Sequence, residues 1–315
     1  MAVHDRRAEP PSILTSYDRS NAFLSALPSG GWQATLVHAF VCSGHGLHTG
    51  RRVTVRVSPA PADHGVVFRR TLTDGRRGDV RALWHYREAQ PLCTALRSEE
   101  GVLVRTVEHV MASLSALGIN NALIELDAEE LPIFDGSAAP WCAAIRKAGR
   151  VEQDSPLRVI RVLQPLMIEQ GERSLRIEPG HGLSVTGHIA LTHFGRLAWS
   201  GRVTPESFCT ELAPARSFGR FRRAMLGRAY GFVARKPFLQ GVSPTSAALL
   251  VGGRIIGGLR FRDEPVRHRI LDVIGDFALA GYPVEGRITA VHTGHELNHA
   301  LVAKLMCTEV AWELV

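Results

Sequence analysis

Nowhere does the chain approach the roughly 18 consecutive apolar residues that a membrane-crossing helix needs. Its first residues, MAVHDRRAEPPSILTSYDRS, lack the apolar centre of a secretory signal, so a cytoplasmic location is expected. Cysteine is scarce. Cys42, Cys93, Cys142, Cys209 and Cys307 are scattered, without one CxxC pair. That excludes a zinc ribbon, argues against a disulfide framework and makes a reducing compartment the simpler assumption. Familiar signatures are missing too. GHGLHTG (44–50) is Gly-rich but is neither GxGxxG nor GxxxxGK[ST], and no GxSxG elbow occurs.

What is present is ordinary in amount. With 45% hydrophobic and 21% charged residues over 315 positions, the chain can build two cores or one large one, and disorder throughout is excluded. The net charge of +7 is dominated by arginine, as in FGRFRRAMLGR (218–228). Such a balance suits anionic lipid, phosphorylated small molecules or nucleic acid, or is only a solvated surface. No zinc-finger spacing, RNP-like motif or recognition-helix pattern accompanies it, so nucleic acid is not expected as a partner.

Residues 1–32, rich in Pro, Ser, Asn and charge, read as a mobile arm. From Gln33 strands alternate with Gly-rich turns, among them RRVTVRVSPA with its period of two. VRTVEHVMASLSALGI has helical spacing and a stop at Gly118, and Thr106 is a candidate N-cap. DGSAAPWCAAIRKAG reads as a second helix with Asp135 as its cap. VEQDSPLR (151–158) has the polarity of a linker. The pattern then restarts with strands, followed by the amphipathic helix RHRILDVIGDFALAG and a final helix HELNHALVAKLMCTEVAWEL. Strands before helices in both halves predict an α+β fold, with units at 33–152 and 158–315, rather than a doubly wound sheet.

His268 and Asp272 stand at i and i+4 on a predicted helix and leave the same face, with Asp276 one turn further. An imidazole and a carboxylate so placed can grip one metal ion, or form an ordinary salt-bridged face. Glu108 and His109 sit where a mostly apolar helix begins. Ionisable groups there are costly unless paired or metal-bound, although a carboxylate at a helix start also suits the dipole. His109 added to His268 and Asp272 makes a His₂Asp set with an open position, the pattern of catalytic zinc, and Glu108 is then the natural base for water. His295 follows Gly294 at a strand-to-helix turn and is a candidate acid. His299, one turn on, reads as a surface residue.

GLHTG (46–50), LCT (92–94), RTVEH (105–109), LPIFDGSAAP (131–140), LRFRDEPVRHRILDVIGD (259–276) and GHELN (294–298) occur in one order. Together they make the chain, from about Ala34 to its last residues, resemble the zinc-dependent UDP-3-O-acyl-N-acetylglucosamine deacetylases of lipid A biosynthesis. The resemblance implies two domains, each a β-sheet with a helix layer, packed face to face and each carrying a small insert. It implies zinc on His109, His268 and Asp272, Glu108 as general base, His295 as cationic or acidic partner, and Asp276 holding His295. Ser217 falls where the family has a threonine that helps hold the oxyanion. Arg269, Cys93 and Phe218 fall at substrate-binding positions. An apolar passage for the acyl chain is expected near Leu226–Leu250. The expected partner is the UDP-linked acylated sugar, with peripheral contact with the inner membrane left open and no obligate protein partner.

Some positions depart from the family pattern. Arg269 replaces a lysine, a planar fork for a point charge. RFRRAMLGR is unusually basic, and Gly241-Val242-Ser243-Pro244 replaces Gly-Gly-Ser. Arg220, Arg223 and Val242 therefore keep open a paralogue acting on another N-acetyl amino sugar. A non-catalytic RNA- or lipid-binding protein is the remote alternative.

Overall fold

The computed structural model describes residues 31–315. The arm read over 1–32 lies outside them except at its end, where Trp32 already opens a strand.

In the first half, five strands run in the order Phe40–His45, Arg52–Pro59, Ala122–Leu126, Val66–Thr71, Arg77–Arg81. Alternation along Arg52–Pro59 turns Val53, Val55 and Val57 inward. They share a core with Val110 and Leu114 of helix α1 (Glu108–Ala116) and Ile145 of α2 (Ala139–Ala148). In the second half, a seven-stranded sheet contains Val284–Val291, which pairs parallel with Leu183–Leu191 and antiparallel with Arg173–Glu178. A one-turn helix α3 (Pro205–Ser207) follows the strand Gly195–Arg202. The long helices α5 (Glu264–Phe277) and α6 (His295–Cys307) cover the sheet. The two halves meet helix on helix, α1 against α5. A mixed α+β architecture of sheet-and-helix layers is therefore present, as expected.

Two small three-stranded sheets are set into these layers. One is Arg87–Glu88, Ala95–Arg97 and Leu103–Arg105. The other is Phe218–Arg220, Ala248–Val251 and Arg254–Ile255, accompanied by helix α4 (Phe221–Val233). Leu47 and Ile133 of the first half pack with Ala224, Leu239, Val242 and Leu249 around the second insert.

Several local expectations are corrected. The stretch read as a linker is mostly strand, Arg150–Pro156, paired with Trp32–Leu36. Its polarity is satisfied by side-chain amides. Asn121 Nδ2 donates to Gln33 Oε1 at 2.9 Å and to Gln153 Oε1 at 2.7 Å. The last helix ends at Cys307, and Trp312–Leu314 returns as a strand against Ile160–Val162, completing the sheet edge. Asp135 does not cap α2, which starts four residues later. Its carboxylate accepts from Ser137 and pairs with Arg260 at 2.7 Å. Thr106 is not the N-cap of α1 but sits at φ 59°, its hydroxyl donating to Glu130.

Candidate metal centre and active site

Helices α1 and α5 bring the two ends of the sequence pattern together. Their axes approach closely because position 275 has no side chain. A Cβ on Gly275 would lie 2.2 Å from the backbone oxygen of Glu108. That contact sets Glu108 and His109 opposite His268 and Asp272, all at most 5% exposed. His109 Nε2 lies 3.9 Å and His268 Nε2 3.5 Å from Asp272 Oδ1. One ligand atom from each of the three residues falls within 4.8 Å of the others.

The donor chemistry of this trio fits a divalent cation. Burial pushes the pKa of both imidazoles down to about 3, with the neighbouring ring adding to the effect at His109. Both rings are therefore neutral and carry a lone pair. At His268 the Nδ1–H donates to the Ala215 carbonyl at 3.0 Å, which leaves Nε2 as the nitrogen carrying the lone pair. Asp272 Oδ1 is buried and makes no hydrogen bond among the described residues. An unsatisfied carboxylate oxygen beside two neutral imidazoles is costly by itself and is the donor set of a nitrogen- and oxygen-binding metal.

Around the trio stand the remaining predicted residues. Glu108 Oε2 accepts from the Thr94 amide at 3.0 Å, and its Oε1 lies 3.7 Å from His295 Nε2. Burial, above all, pushes Glu108 up to about 8. Asp272 and Asp276 add to this and His295 opposes it. For His295 burial works the other way and loses. Asp276, Asp272 and Glu108 hold its pKa up at about 10, so it is a cation at neutral pH. Its Nδ1–H donates to Asp276 Oδ2 at 3.0 Å. Asp276 stays ionised, its pKa lowered to about 2 despite burial, because the neighbouring His299 and His295 and the hydrogen bonds from His295 and Thr94 favour the charge.

Ser217 Oγ lies 3.1 Å from His268 Nε2, at the edge of the donor set. The Arg269 guanidinium sits over the Phe218 ring at 5.2 Å and reaches Asp272 Oδ2 at 3.8 Å. Cys93 is 2% exposed, and burial raises its thiol pKa, so it is a packed thiol beside Thr94.

Sequence reasoning missed four residues here. His299, read as a surface residue, is buried. Thr94 Oγ1 donates to Asp276 Oδ1 at 2.5 Å, and His299 Nε2 lies 3.0 Å from the same hydroxyl. A carboxylate can only accept, so the threonine proton is spent there and His299 Nε2 must donate. Asn298 Nδ2 donates to Asp276 Oδ2 at 2.8 Å. Asp276 is thus held from several sides and in turn holds His295.

The fourth is Glu130, 1% exposed. Its Oε1 accepts from the His48 amide at 2.7 Å and from the Thr106 hydroxyl at 3.2 Å, and its Oε2 accepts from the Thr49 amide at 2.7 Å. It ties the GLHTG turn to the strained residue just ahead of Glu108. A Cβ at Gly46 would meet Glu130 Oε2 at 2.2 Å, which explains that glycine. In Glu130→Gln an amide N–H₂ must, in either orientation, face the backbone N–H of His48 or of Thr49. Stability should fall by about 1–3 kcal/mol, read by denaturant unfolding. A variant as stable as wild type would show that the turn does not depend on the carboxylate.

The apolar segment expected as a passage divides in two. Ala224, Leu239, Val242 and Leu249 are buried, whereas Leu226, Phe232 and Val233 face solvent at 69%, 78% and 81% exposure.

Residues 33–307 match the sequence model of the LpxC family, UDP-3-O-acyl N-acetylglycosamine deacetylase. The chain belongs to that family. Relatives include the UDP-3-O-acyl-N-acetylglucosamine deacetylases of Pseudoalteromonas translucida (strain TAC 125), 36% identical over 287 residues, and of Syntrophotalea carbinolica (strain DSM 2380 / NBRC 103641 / GraBd1), 36% over 289 residues. These alignments cover 89% and 90% of this chain and 92% and 91% of the relatives. That of Shewanella oneidensis is likewise 36% identical, over 291 residues covering 90% of this chain and 92% of the relative. Within this deacetylase family the cluster of Glu108, His109, His268, Asp272 and His295 is the candidate active site. No helix among the described residues is long and apolar enough to cross a membrane.

Proposed function

We propose that the chain hydrolyses the N-acetyl group of UDP-3-O-acyl-N-acetylglucosamine, releasing acetate and UDP-3-O-acyl-glucosamine for lipid A biosynthesis. The observation that carries the reading is one buried cluster holding a metal-type donor set, a carboxylate with raised pKa and a cationic imidazole. The names of the relatives supply the substrate.

We assign His109, His268 and Asp272 as ligands of Zn²⁺, a metal at home with two imidazoles and a carboxylate. Bound there, zinc polarises an amide carbonyl and acidifies water, and its charge favours ionised Glu108. Glu108 accepts the proton of the attacking water. His295 stabilises negative charge and gives its proton to the departing amine, while Asp276 fixes its ring orientation. Ser217 offers a hydroxyl to the developing oxyanion. Arg269, with Phe218 beneath it, offers a cationic face to the anionic substrate, and Cys93 packs the wall behind Thr94. The buried cluster around Leu239, Val242 and Leu249 takes part of the acyl chain. The reading includes a cytoplasmic location and residues 33–152 and 158–315 as the two α+β units.

The test is release of acetate from UDP-3-O-acyl-N-acetylglucosamine. Glu108→Gln should lower kcat by about 10²-fold or more while bound metal is unchanged. Efficiency should rise with acyl length, each buried methylene contributing about 0.8 kcal/mol, and the unacylated sugar should be a very poor substrate. Equal kcat/KM with and without the acyl group would overturn the lipid A assignment in favour of another amino sugar.

A further inference from the structure

The basic excess of this protein is confined to one segment. Between Leu212 and Arg262 there are ten Lys or Arg and no Asp or Glu, more positive charge than the whole chain's net +7. Arg216 and Arg260 are consumed by ion pairs with Glu264 and Asp135. Arg222, Arg223, Arg228, Arg235 and Lys236 have no carboxylate partner among the described residues, and all five are exposed.

These side chains surround helix α4, whose polarity is inverted. Its inner face, with Phe221, Ala224 and Met225, packs on the buried cluster of the insert. Its outer face carries Leu226, Ala229, Tyr230 and Val233, at i, i+3, i+4 and i+7, so they form one stripe along the helix. Leu226, Tyr230 and Val233 are 69%, 56% and 81% exposed, and Phe232 beside them is 78% exposed. Exposed large apolar side chains gathered on one helix mark an interaction surface.

We propose that the outer face of α4 docks on an anionic lipid surface, with Leu226, Tyr230, Phe232 and Val233 entering the headgroup boundary and the flanking arginines contacting lipid phosphates. Apolar residues along a helix lying flat, bordered by long basic side chains, are the pattern of an interfacial helix. Nucleic acid matches the charge but offers no apolar layer for the stripe. The inner face of the same helix borders the cluster assigned to the acyl chain, so docking places that cluster next to lipid. The inference deepens the acylated-substrate reading and rests on it only for why the enzyme visits a membrane.

The experiment is co-sedimentation of the full chain with phosphatidylglycerol–phosphatidylcholine vesicles and with phosphatidylcholine vesicles alone. Binding should require the anionic lipid and weaken at high salt, as the Debye length shrinks from about 10 Å at 0.1 M to about 3 Å at 1 M. Arg222→Glu with Arg223→Glu, and separately Phe232→Ser with Val233→Asp, should each lower partitioning at least about tenfold. All four positions are exposed, so the unfolding midpoint should not move. No binding to anionic vesicles, or binding that survives both double variants, overturns the proposal. So does loss, in these variants, of binding to an acidic protein by a chain that ignores vesicles. Vesicle binding without acetate release would sink the proposed reaction and leave the docking surface standing.

Discussion

Replacing Gly275 with alanine should lower kcat/KM by about 10²-fold, although the residue lies in a contact between helix backbones rather than among the candidate ligands. The added Cβ would sit 2.2 Å from the Glu108 oxygen, inside a contact between two helix backbones. Neither partner is a flexible side-chain end, so α1 and α5 must separate by most of an ångström. That separation moves Glu108 and His109 away from His268 and Asp272, and positioning errors near 1 Å cost rates of this order. Overpacking costs about 1–3 kcal/mol in stability, partly offset by the roughly 1 kcal/mol by which alanine is the better helix former. The measurement pairs steady-state kinetics with metal content and denaturant unfolding. Full activity together with full metal content would show that the close approach does not set the site.

Loss of one proposed ligand should remove metal and activity together. His268→Ala or Asp272→Ala should take the purified protein from about one metal ion per chain to nearly none. Partners that only orient ligands are worth about 10–100-fold, so activity should fall by at least about 10²-fold. Asp276→Asn provides the contrast. Asp276 contacts His295, Thr94 and Asn298 rather than the donor atoms of the trio, so metal should stay while activity falls. Full metal occupancy in Asp272→Ala would strike that residue from the ligand set. Chelation followed by added Zn²⁺ should restore wild type and leave the ligand variants inactive.

Much of this site was legible without coordinates because its signals are local. Helix geometry alone puts His268, Asp272 and Asp276 on one face, and adjacency in the chain delivers Glu108 with His109. The ordered motifs named the family and the α+β layers. The network behind His295 was not legible. Thr94, Asp276 and His299 meet across separations of 182 and 205 residues, and no periodicity reports such an encounter. Glu130 was hidden for the same reason, since its partners are backbone amides of a turn 81 and 82 residues away.

The sequence by itself determined the family, the candidate residues His109, His268 and Asp272 with Glu108 beside them, and most helices and strands, except where pairing with a distant strand decided the matter. Arg150–Pro156 and Trp312–Leu314 are polar or short enough to read otherwise and become strands because edges lie open beside them. Only the tertiary structure decided which side of a helix is inside. The resemblance implied an acyl passage near Leu226–Leu250, and within that span the stripe Leu226, Ala229, Tyr230, Val233 has the period of a buried face. Periodicity defines a face but not its direction. That is settled by what packs opposite, and here Leu47, Ile133 and Leu239 take the other side of α4 and leave the stripe to solvent.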